Sequence, residues 1–448
     1  MEAVVREADP LNITPGSEGN HFAQAYREWR RAYYNRFPTF WGTLPGESVE
    51  EYAVYGALEI SHEHAEALRN ASSRLYTLMT RLALLLQQAD NESLIEMGIP
   101  VSALPYVHIV MPEMPAVMCG RFEFVMSAEG PKLLEFNAET PTFVVELFHM
   151  NGQVCTDFGL PDPNVHCQQQ LVQAVRAAIT AGLDWIEPQP SGERSVVFSA
   201  YAHRKEERIT TEFYHQLLLE QGDVPYRTSF RGLHELRVTR NGLFTADGER
   251  VDVLYKLYPT EHLMLDEDVD GTPVGLALME LVRKRQLAVI NPPISFVLQN
   301  KALVAILWAL HLAESELFTS EEHAWIEQYV LPTYLSPLDA EGQPIFTGQH
   351  VIKPVYGREG SSVTILDQHE VIEHSQWNFY DKQIKVYQQY AGLPTTTIQT
   401  EAGLTPVNLV HNCFIVDGTP SAIGVRACQK LIFDDNSYFL PVCSPTTT

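Results

Sequence analysis

At 448 residues the chain exceeds the size at which a single hydrophobic core keeps growing, so two or three subdomains are expected. Its 31 basic and 56 acidic residues leave a formal charge of −25, which argues against nucleic acid as a partner and favours a cationic ligand, because phosphate neutralisation needs a basic surface. With 45% hydrophobic and 19% charged residues the composition is globular, and the longest apolar run, 302–312, falls short of the roughly 20 residues of a membrane span.

The N-terminal stretch lacks a basic segment followed by an apolar one, so no signal peptide is expected and a cytoplasmic location follows. Residues 1–20, rich in Pro, Gly and polar residues from Asp9 onward, and the tail 444–448 read as disordered ends. Residues 50–88 place apolar side chains three and four apart (Tyr55, Leu58, Ala65, Leu68, Leu75, Leu78, Leu82) and predict long amphipathic helices, so that 21–105 reads as a helical region. From Val107 the period changes to that of strands: 107–111, 121–126 and 132–136, the last two joined as a hairpin by the turn Ala128–Pro131. Helix 165–183, strand 195–201 and helix 208–221 follow, the last ending at Gly222. Strands 235–245 and 250–258 come next, with Asn241 and Gly242 as a hairpin turn, then strand 287–293 and helix 301–316. The segment 350–389 reads as β-rich and 408–427 as a hairpin around Asp417 and Gly418. Six cysteines without CxxC spacing are expected to be reduced and buried. The order of elements predicts an α+β enzyme with a β-rich lid near 340–395.

Two segments carry chemistry. In a strand alternate residues share a face, so Arg121 and Glu123 project together, as do Glu135 and Asn137 one hairpin later. Two carboxylates about 4 Å apart repel by roughly 4 kcal/mol at an effective dielectric of 20, so a fold that builds such a pair supplies a cation or a proton. Glu123, Glu135 and Asn137 make an oxygen set suited to Mg²⁺; the competing account is a polar face on an exposed hairpin. The second segment is Lys353 followed by Gly357, Arg358, Glu359 and Gly360, a lysine beside a glycine-bearing loop of the kind that brings backbone N–H groups to phosphate oxygens. It is neither a Walker loop nor a Rossmann fingerprint, and a plain tight turn is the alternative. Lys301 stands at a helix start, where a solvated lysine is the ordinary case. Arg426 lies in an apolar strand and needs an anionic partner, structural or substrate.

The blocks 120–123, 134–142, 253–259, 299–303, 353–360 and 424–427, in that order, resemble the glutathionylspermidine synthase family of ATP-grasp ligases, over roughly residues 21 to 443. The resemblance implies an ATP-grasp fold with a pre-ATP-grasp region, the synthetase core at 106–290 and the nucleotide-binding part at 291–443. It implies a ligase that uses ATP and Mg²⁺ to join a small-molecule carboxylate, glutathione- or peptide-like, to a polyamine-like amine, with no membrane partner. By the same mapping Glu123, Glu135 and Asn137 hold magnesium, Lys301 and Lys353 bind phosphates, and Gly357, Arg358, Glu359 and Gly360 cover them. Tyr387, Gln388 and Gln389 lie beside the adenine, and Arg121 and Arg426 face the transferring phosphoryl group and the acyl phosphate. Thr140 and Thr142, where the family's bifunctional enzyme has serines, would contact the acid, and Glu206 and Glu207 would receive the amine. Glu123 replaces an aspartate. No amidase domain is expected in a chain of this length. Two rivals stand beside the ligase: a hydrolase using Glu123 and Glu135 as acid and base, and an ATP-binding sensor without catalysis.

Overall fold

The computed structural model describes residues 5–6, 19–43, 51–187, 193–222 and 224–446. The segments 1–4, 7–18, 447 and 448, which carry most of the expected disordered ends, lie outside it. Among the described residues no helix is long and apolar enough to cross a membrane. All six cysteines are buried, and none forms a disulfide.

The architecture is mixed α and β, as expected, and three sheets position the site. A central antiparallel sheet runs Tyr438–Leu440, Thr419–Cys428, Gly403–Val416, Cys119–Ser127, Gly130–Asn137, with Thr395–Thr400 also paired to Gly403–Val416. A parallel sheet runs Ala288–Ile290, Val253–Leu257, Ser195–Ala200, Arg227–Gly232; the helices Cys167–Trp185 and Lys205–Leu219 pack on it. A third, antiparallel sheet runs Thr333–Tyr334, Lys385–Gln389, Gln349–Pro354, Thr364–Asp367, Glu370–His374, in the region expected to be β-rich. One continuous apolar core joins the first two sheets to the helix His62–Leu86 and takes in Val386 of the third, while Val351 and Ile365 of the third sheet form a small separate cluster with Ile432.

Several local expectations change. The helix expected over 50–88 is confined to His62–Leu86, because Ser61 caps it by accepting from His64 N–H, and Ala57–Glu59 upstream is a strand paired with Val442–Cys443. The strand expected at 107–111 is absent: Leu104–Val107 is a helical turn with Pro105 in its first turn, and the chain then runs on as loop. The strand expected at 250–258 is two, Arg250–Val251 and Val253–Leu257, in different sheets. Asp252 marks the switch, its carboxylate accepting from Ser195 N–H at 3.0 Å. Gly19 and Asn20, expected in the disordered end, begin the helix Gly19–Tyr34.

The hairpin register is fixed by packing. Phe122 and Phe136 lie opposite one another and stack at 3.9 Å between centroids, 11° from parallel, on the core face. The opposite face therefore presents Arg121 across from Asn137 and Glu123 across from Glu135. A one-residue slip would turn all four polar groups into the apolar core and both rings onto the polar face, which is why this register is strongly held.

Candidate active site

The three sheets converge on a cavity of about 1110 Å³. All but one of the site residues expected from the sequence line it: Arg121, Glu123, Glu135, Asn137, Thr140, Thr142, Glu206, Glu207, Lys301, Lys353, Gly357, Arg358, Glu359, Gly360, Gln388, Gln389 and Arg426. Tyr387, expected with them, does not.

Two lysines from distant segments hold one carboxylate ionised. Lys301 Nζ lies 3.1 Å from Glu135 Oε2 and donates to the Gly357 carbonyl at 2.9 Å. Asn137 donates to Glu135 Oε1 at 3.0 Å. Burial opposes ionisation of Glu135, yet the ammonium groups of Lys301 and Lys353, with the Asn137 amide, outweigh it and hold the carboxyl down at about 2. Lys353 donates to Gln388 Oε1 at 2.8 Å and to the Leu134 carbonyl at 3.2 Å. Its burial, opposed by Glu135 and abetted by Lys301, lowers it to about 8, so it stays mostly charged at neutral pH. Gln388 is itself 3% exposed and bonded to Thr333, so its side chain anchors the lysine.

Arginines surround the second carboxylate. Arg121 Nη2 is 2.7 Å from Glu123 Oε1 and its Nη1 donates to the Thr142 carbonyl at 2.7 Å, while Arg426 Nη1 stands 3.6 Å from the same Glu123 oxygen. Arg426 thus has the anionic partner its apolar strand requires. Arg358 donates from Nε to Glu261 at 3.1 Å and from Nη1 to Thr140 Oγ1 at 2.7 Å, and its buried Nη2 has no hydrogen-bond partner among the described residues.

The glycine-bearing loop owes its path to backbone approach. Gly360 sits at φ +66°, and a Cβ there would come within 2.6 Å of the Phe433 carbonyl oxygen, so the loop lies directly on the 431–435 segment. Ser361 and Ser362 accept from Phe379 and Tyr380 N–H, and Ser362 N–H donates to the Trp377 carbonyl at 2.7 Å, tying the loop to an aromatic segment that also lines the cavity.

Acid residues occupy the other side. Glu206 and Glu207 stand in the first turn of Lys205–Leu219, which starts three residues earlier than its periodicity suggests, where carboxylates favour the helix dipole. Even so, burial first, and then the charges of Glu146 and Glu359, push Glu206 up to about 8. Glu207 rises to about 7, chiefly through burial.

Behind the wall Lys256 Nζ meets Glu139 Oε1 at 2.5 Å and donates to the Tyr258 carbonyl at 2.9 Å; Thr260 donates to the same carboxylate from both its hydroxyl and its N–H. Sequence reasoning missed Glu139 and Glu261, although a lysine in the apolar strand Val253–Leu257 signalled a buried acid. It also missed Trp41, Tyr52, Trp377 and Phe379, which line the cavity without any spacing signal.

No cluster of three His, Cys, Asp or Glu side chains suited to a metal occurs among the described residues. The donors at hand are the facing carboxylates Glu123 and Glu135 with the Asn137 amide oxygen. Three hard oxygens on one wall fit Mg²⁺, whose octahedron is commonly completed by water and phosphate. Cations already neutralise both carboxylates here, so a bound ion would share Glu123 with Arg121 and Glu135 with Lys301.

The chain is similar to several known proteins. A protein of Haemophilus influenzae that carries the provisional name acid–amine ligase is 24% identical over 348 residues, 72% of this chain and 73% of that one. The bifunctional glutathionylspermidine synthetase/amidase of Escherichia coli is 22% identical over 295 residues, 62% of this chain and 42% of its own length. A glutathione synthetase-like effector from Globodera pallida shares the fold with a TM-score of 0.60 at 10% identity, covering 96% of this chain and 98% of that one. The family model described as glutathionylspermidine synthase pre-ATP-grasp matches residues 24–444, and the chain belongs to that family.

Proposed function

We propose that the protein is an ATP- and Mg²⁺-dependent ligase of ATP-grasp type that joins a small carboxylic acid to a cationic amine through an acyl phosphate. One observation carries the reading: Lys301, paired with Glu135, and Lys353, whose charge also acts on it, come from separate segments and line one cavity with the Gly357–Gly360 loop, directly across the hairpin from Glu123 and its two arginines. In this reading 291–443 supplies the nucleotide-binding part, its third sheet the lid, and 106–290 the synthetase core.

The chemistry needs both charge types. A primary amine has an ordinary pKa of about 10.4, so neutralising it at pH 7 costs roughly 4 to 5 kcal/mol, and a free carboxylate is a poor electrophile. The acid's carboxylate oxygen attacks the γ-phosphorus and ADP leaves. Lys301, Lys353 and Arg358 would hold the phosphoryl oxygens, and Arg121 and Arg426 the charge developing at the acyl group. Magnesium, held by Glu123, Glu135 and Asn137, would supply Lewis-acid neutralisation of the phosphates. One proton of the bound ammonium passes to Glu206 or Glu207, the amine nitrogen then forms the amide bond as phosphate departs, and the second proton leaves with the phosphate. Thr140 and Thr142 stand where they could orient the acid.

The test is ADP formation with Mg²⁺, crossing glutathione, short peptides and amino acids against spermidine, putrescine and other amines. A competent acid with ATP and hydroxylamine is expected to give a hydroxamate, and its absence would rule out the acyl phosphate. ATP binding without ADP formation for any pair would favour the sensor instead.

A pH dependence follows from the raised acid. At pH 7 a Glu206 titrating at about 8 is mostly protonated, whereas an ammonium group favours its carboxylate, so amine binding should release protons. Affinity should rise from about pH 6 to about pH 8, and calorimetry in buffers of different ionisation enthalpy should register the release. Glu206→Gln with Glu207→Gln should raise the amine KM by ~10-fold or more, in line with loss of a charged hydrogen bond. A flat profile with an unchanged KM would remove both residues from the amine site.

A further inference from the structure

The guanidinium of Arg358, the arginine of the glycine-bearing loop, is held from two sides. Nε donates to Glu261 Oε1 at 3.1 Å and Nη1 to Thr140 Oγ1 at 2.7 Å. A guanidinium has five N–H groups, so these two bonds leave three. Two of the three sit on Nη2, which is buried and has no hydrogen-bond partner among the described residues. Buried donors are ordinarily satisfied, and Arg358 lines the cavity, so the open N–H groups await an acceptor that the protein does not supply.

The two anchors are braced against each other. Thr140 follows Glu139 in the chain and Glu261 follows Thr260, and Thr260 N–H donates to Glu139 Oε1 at 3.1 Å. Lys256 joins the same pair, meeting Glu139 Oε1 and donating to Thr260 Oγ1 at 3.1 Å. Glu139, Thr140, Thr260 and Glu261 are all buried. The acceptors therefore keep their separation, and the guanidinium plane between them is set.

Among the described residues Glu261 Oε1 bonds only to Arg358, and its buried Oε2 has no partner. The competing account is an ion pair that merely neutralises a buried cation. A pair built for stability alone makes both bonds of the arginine–carboxylate fork; here one is made, and Nη2 and Oε2 both stay unbonded. Nor does Glu261 place the loop's main chain, which Lys301 holds at the Gly357 carbonyl and Gly360 seats against Phe433. A carboxylate also subtracts from an arginine's attraction for phosphate, so what Glu261 adds is direction rather than charge.

We propose that Glu261 is a positioning residue: with Thr140 it fixes the Arg358 guanidinium so that its open N–H groups take an oxygen of the nucleotide's terminal phosphoryl group. The inference rests on the ligase reading for the nucleotide and adds to it the group that aims the arginine.

Calorimetry on the full chain with Mg²⁺ and either ADP or adenylyl imidodiphosphate tests it, because the ratio of the ADP Kd to the analogue Kd reports the terminal phosphoryl contact. Glu261→Ala is expected to lower that ratio ~10-fold, the scale of one charged hydrogen bond, and Glu261→Gln, which keeps an oxygen for Nε, by ~3-fold. Charge alone predicts otherwise, since loss of a carboxylate would tighten both nucleotides. Arg358→Ala should lower the ratio at least as far, and adding Glu261→Ala to it should change nothing more, as holds for a residue that acts through another. Should an alanine variant fail to fold, Glu261→Gln and Arg358→Gln complete the cycle. A ratio unchanged in Glu261→Ala, tighter binding of both nucleotides at constant ratio, or a further loss in the Arg358→Ala background would overturn the positioning role. A wild type that binds neither nucleotide would overturn it together with the ligase reading. A ratio lost as expected, with no ADP formed for any acid and amine, would overturn the ligase reading and leave the positioning role standing.

Discussion

Glu135→Ala is expected to reduce ATP turnover at least ~100-fold while the chain stays folded, the scale seen when one preorganised charge partner is removed from an active site. Two losses combine. The cavity wall loses one of the two carboxylates expected to hold magnesium, and Lys353 loses the charge that keeps its proton on. Burial and Lys301 both push Lys353 down and Glu135 pushes it up, to a balance near 8. Without Glu135 the balance falls, so at pH 7.5 a larger share of Lys353 is neutral and cannot bind phosphate. Steady-state ADP release at pH 6 and pH 8 separates the two losses, because acid restores the lysine's charge but no metal ligand. A deficit that shrinks at pH 6 assigns the effect to Lys353, and an equal deficit at both assigns it to the metal. Near-normal turnover at both would contradict the site.

The second large effect is on stability. Glu139→Ala strands the Lys256 ammonium, 3% exposed, with only a carbonyl and a hydroxyl for partners. Removing one member of a buried ion pair costs about 3 to 5 kcal/mol, because the remaining charge stays desolvated. A fall in Tm of several degrees by differential scanning fluorimetry is expected. The double change Glu139→Leu with Lys256→Met should recover part of it, since neither charge is then buried alone. Its recovery is incomplete because Thr260 N–H also donates to Glu139. Burial opposes ionisation of Glu139, but Lys256 and Arg358 outweigh it and hold its carboxyl below the usual carboxylate range. The pair's contribution is therefore present above about pH 4, the ordinary value in an unfolded chain, and is lost on acidification below it. A Tm for Glu139→Ala within a degree of the wild type would mean that water reaches Lys256.

How much of this could be read beforehand differs from element to element. The hairpin Cys119–Ser127 with Gly130–Asn137 was legible because alternation is a local property and the turn residues mark its tip. Short elements were not: Leu104–Val107 followed tertiary packing, and Val253–Leu257 was merged with Arg250–Val251 because Asp252 switches sheets through a bond to Ser195, 57 residues away. Lys301 gave no signal by itself, since nothing local separates a lysine at a helix start from a solvated one. Its contact with Glu135 needs the chain to return across more than 160 positions, which only the converged sheets supply.

Trp41, Tyr52 and Glu146 were invisible for the same reason. A buried carboxylate bonded to two aromatics has no spacing, and an acid at position 146 reads as surface until the fold closes over it.

By itself the sequence determined which hairpin residues share the cavity face, because alternation along strands is set within a few residues. It also determined the family, through blocks spread along most of the chain. Only the tertiary structure decided which charges neutralise which, Lys301 and Lys353 against Glu135, Arg121 and Arg426 against Glu123, and Lys256 against Glu139. Electrostatic pairing depends on distance in space and on exclusion of water, and neither is a property of neighbouring positions along the chain.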